Sequence, residues 1–236
     1  MGNPIEIGYS FSFESGATKV VNVALDRQTL GFIPKKRQYP LKWTELNHNK
    51  CRDCSLDEGA NKYCPVALNL SYIAEKFKDF ASCERVVINV TTRERIYSKY
   101  TSLQEGLSAL TGIVMVTSGC PTLDYLRPMV RFHLPFATVA ETVYRMVSTY
   151  VMGQFLSQRK GGEADWKLEG LEKIYSEIHE VNKDFARRIA DTAKKDANVN
   201  AIMNLDCFAC LVPLTAEEMI KEIELNFQPY TKITPL

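Results

Sequence analysis

Apolar and polar residues alternate along the start of the chain. From Ile5 to Phe13 the odd positions are apolar and the even positions are glycine, serine or glutamate. A period of two predicts a strand with one buried face. Residues 19–25 repeat the alternation after turn-forming residues 14–16, which predicts an antiparallel hairpin. Arg85–Thr91 is rich in β-branched residues and predicts a third strand.

Apolar residues recur every three or four positions in the rest of the chain, which is typical of helices. Pro65–Phe80 predicts a helix that begins with proline, and residues 120–136 contain three prolines and predict a loop or broken element. Beyond residue 100, capping-box sequences predict helix starts at Ser102-x-x-Glu105, Thr138-x-x-Glu141 and Thr215-x-x-Glu218. Periodic stretches predict one long helix over residues 166–196 and another over 198–212 that Pro213 ends.

These elements predict an α+β fold. A small N-terminal antiparallel β part, a hairpin plus one strand, carries a cysteine-rich loop and is followed by a mainly α-helical bundle of about five helices. We divide the chain into a hairpin and cysteine-cluster region, 1–100, and a helical bundle, 101–236. The alternative is that both regions form a single compact domain.

Composition narrows the class of protein. Across 236 residues, 29 basic and 28 acidic side chains give a net charge of +1, which is not the footprint of a nucleic-acid-binding protein. We find no apolar run of the ~20 residues that a transmembrane helix needs, and no secretory signal. We therefore expect a cytoplasmic protein. A protein partner or a homo-oligomer formed through the helices stays open.

Three cysteines converge in one irregular segment. Cys51 and Cys54 are separated by two residues, and Cys64 follows after nine more and precedes Pro65. Because disulfides are rare in the cytosol, clustered cysteines there favour metal binding or redox chemistry. Both a zinc ion and a [4Fe-4S] cluster take four ligands of this kind, so the cofactor is zinc or iron–sulfur, undecided between the two.

The fourth ligand is not fixed by this spacing. We prefer Cys120, which precedes a proline as Cys64 does, and the alternates are His133, His48, Cys207 and Cys210. The pair Cys207 and Cys210 is better explained as two small apolar residues that line the core face of a helix. Cys83 is interpreted as structural.

One proline-braced segment carries candidate catalytic groups. Arg127, Arg131 and His133 lie within seven residues and are weak candidates for an anion-binding or acid–base site. The phosphate-binding, dinucleotide-binding and zinc-protease motifs that we sought do not occur in the sequence. Whether the protein is an enzyme is therefore left open.

The cysteine motif resembles that of an uncharacterised bacterial domain family. The similar segments are Cys51-x2-Cys54, Tyr63-Cys64-Pro65, Ser118-Gly119-Cys120-Pro121 and Arg131-Phe132-His133-Leu134-Pro135. The resemblance implies a bacterial origin and one site made of the four cysteines and His133, without an activity. We thus expect a metal-binding protein with a sensing, regulatory or structural role. The alternatives are a metal- or iron–sulfur-dependent enzyme with a pocket near Arg127, Arg131 and His133, and a helical interaction scaffold with structural zinc.

Overall fold

Alternating side chains build an antiparallel sheet at the start of the chain. The computed structural model describes residues 2–34 and 41–231. Strands β1 (Ile5–Phe13) and β2 (Thr18–Leu25) form the predicted hairpin. The even-numbered residues of β1 lie on its more exposed side, and Tyr9 and Phe11 are fully buried. The α+β class and the hairpin are therefore confirmed.

The sheet has one strand more than the sequence predicts. Strand β3 (Arg85–Thr91) pairs with β1, and β4 (Ile96–Ser102) pairs with β3, which gives the order β2-β1-β3-β4. Thr101 is the one fully buried position of β4. An edge strand with mostly exposed side chains carries no clear alternation, and for this reason the pattern does not reveal it.

The helices cover one face of the sheet and one another. Helix α2 (Leu103–Thr117) packs against β1, β3 and β4, whereas α5 (Ala197–Glu224) packs against α2 and three further α-helices. A single hydrophobic core extends from the strands into the helices. The remaining helices are α1 (Pro65–Phe77), α3 (Val139–Arg159), α4 (Glu169–Ala190) and α6 (Gln228–Thr231), with 3-10 helices at Lys42–Thr44, Leu123–Phe132 and Leu225–Phe227.

Two predicted helix boundaries are wrong. Pro213 lies inside α5 instead of ending it, and the axis bends there by 59°. The sequence Thr215-x-x-Glu218 therefore lies within a helix instead of starting one. A proline that only kinks a helix has the same local sequence as one that ends it. Among the described residues no single helix is both long and apolar enough to span a membrane. The two helical arms on either side of Pro213 reach that length and apolar composition only when they are counted together.

Candidate metal centre

Four thiols are close enough to interact electrostatically where the irregular segment meets α1 and the end of α2. Cys51 interacts electrostatically with Cys64, Cys120 and Cys54, and both Cys64 and Cys120 also interact with Cys54. Cys64 is buried, and the other three are half-buried against the hydrophobic core. The structure thus brings together the four cysteines that the sequence selects.

One of the four cysteines, Cys64, stands directly before a helix. Cys64 precedes Pro65 at the start of α1, and the N–H groups of Ala67 and Val66 lie close enough to its sulfur to favour the thiolate. Both groups belong to the first turn, where backbone N–H groups have no partner within the helix.

Cys120 repeats this arrangement at the second Cys-Pro sequence. Gly119 takes a left-handed conformation (φ 85°) directly after α2 and turns the chain back. The N–H groups of Leu123 and Thr122 then favour the thiolate of Cys120 in the same way. Both sites offer partial positive charge to a bound sulfur anion.

Helix α4 anchors the cysteine-bearing segment through three charged residues. Asp184 accepts a hydrogen bond from the N–H of Arg52 (2.7 Å), and Asp191, just beyond the helix, bonds the ring of His48 (2.7 Å) and the amide of Asn49 (3.0 Å). His48 therefore holds the segment in place from its far side. The turn itself closes through a bond from the N–H of Cys54 to the carbonyl of Cys51 (3.1 Å).

Arg188 supplies a positive charge inside this junction. Its side chain is fully buried and donates to the carbonyls of Trp43 (3.0 Å), Glu45 (2.6 Å) and Leu46 (3.0 Å). Its Nε has no hydrogen-bond partner, and no carboxylate among the described residues pairs with it. The guanidinium lowers the pKa values of Cys51 and Cys64. A buried cation without a counter-ion is costly, so this arrangement fits a negatively charged group between the thiols.

Burial nevertheless keeps the thiols of Cys51, Cys64 and Cys120 protonated when no metal is bound. It raises the pKa of Cys51 to about 12, with the neighbouring thiol of Cys64 as the second cause, and raises the pKa of Cys120 to about 11. The pKa of Cys64 is also raised by burial. Any metal that binds here must displace these protons.

His133 lies in a separate environment. Its Nε2 bonds the hydroxyl of the buried Tyr9 (2.6 Å), and burial, with a smaller effect from Arg145, lowers its pKa to about 3. The imidazole is therefore neutral. It lines a cavity of about 410 Å³ between α2, α3, α4 and α5.

Arg127 and Arg131 lie apart from the cavity that His133 lines. Arg127 pairs with Asp124, Arg131 donates to the carbonyl of Arg27 (3.1 Å), and neither lines the cavity. Arg145 of α3 lines it instead and donates to the carbonyls of Met129 (2.8 Å) and Phe132 (3.2 Å). It lies far from His133 in sequence, so local spacing gives no sign of it.

The remaining three cysteines lie at the surface. Cys83, Cys207 and Cys210 are exposed, so the interpretation of Cys207 and Cys210 as core-lining residues is wrong. The buried face of α5 passes instead through Ala197, Ala201 and Ala209. Cys210 instead contacts the ring of His179 on α4 (3.1 Å between Sγ and Nδ1).

Fold and site together define an α+β chain with four electrostatically coupled thiols, two of which also interact with a buried arginine. Residues 7–228 match the family model described as "Domain of unknown function (DUF6901)", and the chain belongs to this family. Membership confirms the expectation of a family without an assigned function. No curated protein and no solved structure matches the chain.

Proposed function

We propose that this protein binds a [4Fe-4S] cluster through Cys51, Cys54, Cys64 and Cys120 and that it acts in sensing or regulation. The observation that carries the proposal is the mutual electrostatic interaction of these thiols beside the buried Arg188. A cubane takes one thiolate per iron, so four cysteines supply a full set of ligands.

The four cysteines are not preformed around a single ion. With Zn–S bonds of about 2.3 Å, four thiolates around zinc lie ~3.8 Å apart. Among the described residues, the potential ligand atoms that lie within 4.8 Å of one another in a group of three or more are on His179, Asp206 and Cys210, and the four cysteines form no such group. The four thiols would have to move closer together to hold one zinc ion, which supports the larger cluster.

The charge around the site supports the same ligand. A [4Fe-4S] cluster with four thiolates carries net negative charge in its common oxidation states. The guanidinium of Arg188 and the free N–H groups before α1 and after Cys120 offset that charge. Hydrogen bonds and buried charge of this kind also set the stability and potential of such clusters.

Partial exposure supports a sensing or regulatory role. Cys51, Cys54 and Cys120 are half-buried, so small oxidants in solution can reach their side of the site. When bound, the cluster cross-links the irregular segment to α1 and to the turn after α2, and it can exchange single electrons. Loss of the cluster removes that cross-link and leaves protonated thiols. All seven cysteines are free, which supports the expectation of a reducing, cytoplasmic environment.

Protein purified without oxygen tests this proposal. We expect about four iron and four sulfide ions per chain and a broad absorption near 400 nm. Cys120→Ser should lose most of this absorption, whereas Cys83→Ser, an exposed cysteine elsewhere, should keep it. One zinc per chain without iron would contradict the proposal of an iron–sulfur cluster. Equal iron content in Cys120→Ser and Cys83→Ser would contradict the assignment of Cys120 as a ligand.

The cavity beside His133 supports a second candidate function, the binding of a small, mainly apolar molecule. Its volume of about 410 Å³ falls in the range of small-molecule sites, and Arg145 and Asn182 offer polar contacts to one end of a ligand. Leu123 lines the cavity, and its backbone N–H faces the sulfur of Cys120. A molecule bound in the cavity would thus be separated from this proposed cluster ligand by a single residue.

An apolar anion serves as the probe for this second function. Anilinonaphthalene sulfonate should fluoresce in the presence of the folded protein, and Ala109→Trp, which fills the cavity, should weaken its binding at least tenfold. Tyr72→Trp at an exposed position is the matched control. Unchanged binding by Ala109→Trp would contradict this use of the cavity.

A further inference from the structure

A second group of potential metal ligands lies on the facing sides of α4 and α5. The side chains of His179, Asp206 and Cys210 each present one ligand atom, and all three atoms lie within 4.8 Å of one another. Asp206 and Cys210 are four residues apart on α5, so they project from the same face. His179 reaches them from α4.

Two potential ligand atoms compete for one ring nitrogen at this point. Both Oδ1 of Asp206 (2.7 Å) and Sγ of Cys210 (3.1 Å) approach the same atom, Nδ1 of His179. A ring nitrogen carries at most one hydrogen, so without a metal the two atoms must share it. In a catalytic Cys-His-Asp relay the thiol and the carboxylate would instead contact opposite nitrogens of the ring. Three electron-pair donors that converge on one point are the arrangement of a metal site.

We propose that His179 Nδ1, Asp206 and Cys210 bind a zinc-type divalent ion with a fourth position open to solvent. Nitrogen, carboxylate oxygen and thiolate are the ligands that zinc prefers. Three protein ligands with an open position are typical of zinc sites that bind water or a substrate, whereas structural sites are closed by four. This site is separate from the four-cysteine centre and does not depend on its cluster.

The surroundings suit this coordination. Asp206 is buried and Cys210 is exposed, so the site has a fixed side and an accessible side. The carboxylate of Glu180, which pairs with Lys183 (3.1 Å), lies 4.0 Å from Nε2 of His179 and adds negative charge beside the ring.

Small movements complete the geometry. Ligand atoms around tetrahedral zinc lie about 3.3–3.6 Å apart, so the contact between Nδ1 and Asp206 must open by less than ~1 Å. Burial and the neighbouring carboxylate of Asp206 raise the pKa of the Cys210 thiol, so the ion must displace the proton of this thiol when it binds.

Residue-resolved alkylation with zinc as the probe tests the proposal on the intact, iron-loaded chain. Iodoacetamide should modify the exposed Cys207 and Cys210, and micromolar zinc should slow the modification of Cys210 at least tenfold while it leaves Cys207 nearly unchanged. Peptide mass spectrometry measures the two rates separately. His179→Gln, a substitution at a partly exposed position, should abolish the protection of Cys210.

Three results would overturn the site. The first is no protection of Cys210 by zinc, and the second is equal protection of Cys207 and Cys210, which would show that the Cys-x2-Cys pair alone holds the ion. The third is protection that survives in His179→Gln. Asp206→Asn provides a second ligand variant, and its thermal unfolding should be measured in parallel because Asp206 is buried.

Discussion

Cys64 and Cys120 share one local device, a cysteine followed by proline at the start of a helical turn. The proline has no N–H, so the first free N–H groups belong to the next two residues, and these face the sulfur in both cases. Residue types and spacing were enough to select these two cysteines and the pair Cys51 and Cys54. What the sequence could not show is that burial raises the pKa of Cys51 and Cys120, because burial depends on distant chain segments.

Arg188 is the residue that sequence patterns miss most clearly. It lies within the apolar stripe of α4, where a charged residue is a departure from the pattern, but its three carbonyl acceptors are more than 140 residues away. The place of this arginine within an apolar stripe indicates from sequence that the position is buried. It does not reveal what the side chain binds.

Replacing Arg188 should destabilise both the fold and the metal centre. Arg188→Met leaves three buried carbonyls without their donor, and we expect a loss of about 3–5 kcal/mol in the free energy of unfolding. Urea denaturation measures this loss. Lys173→Met, on an exposed face of the same helix, is the control and should change stability by less than ~0.5 kcal/mol.

Arg188→Lys tests whether the positive charge of Arg188, as distinct from the shape of its side chain, supports cluster binding. It keeps the positive charge, so cluster content should recover in part, whereas it should stay low in Arg188→Met. Equal cluster content in the two variants would contradict the role of the charge.

His133 should make the folded protein sensitive to acid. Its pKa is lowered by burial from 6.5 to about 3, so the unfolded chain binds more protons in that range and stability falls as the pH drops below 6.5. Between pH 7 and pH 5 this single group contributes a loss of about 2 kcal/mol.

His133→Gln tests that contribution. The variant has no titrating group at this position, so its free energy of unfolding should change less between pH 7 and pH 5 than that of the wild type. Identical slopes in the two proteins would assign the acid sensitivity to other groups.

At the scale of elements, the strongest periodic patterns are confirmed and the boundaries set by distant contacts are not. The hairpin, β3 and the start of α3 at its Thr138–Glu141 capping box all form as predicted. By contrast, Ser102 makes no cap with its side chain, and Thr101 and Lys99 bond Glu105 instead. The three anchoring residues of α4 were missed because their partners lie in a segment without a regular pattern.

The contact between α2 and the sheet depends on one glycine. A Cβ at Gly106 would collide with the buried side chains of Ile88 and Phe11. We expect Gly106→Ala to destabilise the protein by about 1–3 kcal/mol, since an overpacked core must shift its side chains or backbone.

Gly153 provides the opposite case for comparison. It lies in α3 with open space around its Cα, so Gly153→Ala should stabilise the protein by about 0.5–1 kcal/mol through helix propensity. Thermal unfolding of the two variants measures both effects. Shifts of the same sign would contradict the close packing of α2 on the sheet.

At the scale of the whole molecule, the four-cysteine centre joins three parts that are distant in sequence. The irregular segment, α1 and the turn after α2 meet there, and α4 holds the segment from behind. Without metal, hydrogen bonds from α4 hold these parts together, and the buried thiols of Cys51 and Cys120 stay protonated.

Removal of the metal should make stability depend on alkaline pH. The thiols of Cys51 and Cys120 have pKa values of about 12 and about 11, above their ordinary value of 9.0, so from pH 9 upward the folded state holds more protons than the unfolded chain. The free energy of unfolding of the metal-free protein should therefore fall as the pH rises from 9 towards 11.

Urea denaturation under reducing conditions measures this fall. Replacement of both Cys51 and Cys120 by serine should reduce it, and the metal-loaded protein should not show it because its thiolates are already ionised. A metal-free protein with constant stability over this range would contradict the burial of the thiols.

Anomalous diffraction from crystals grown without oxygen tests the central claim most directly. Data collected across the iron absorption edge should show an iron peak enclosed by the sulfur atoms of Cys51, Cys54, Cys64 and Cys120. A single zinc peak there would keep the site and overturn the cluster. No anomalous scatterer between these four sulfur atoms would contradict the four-cysteine metal centre itself.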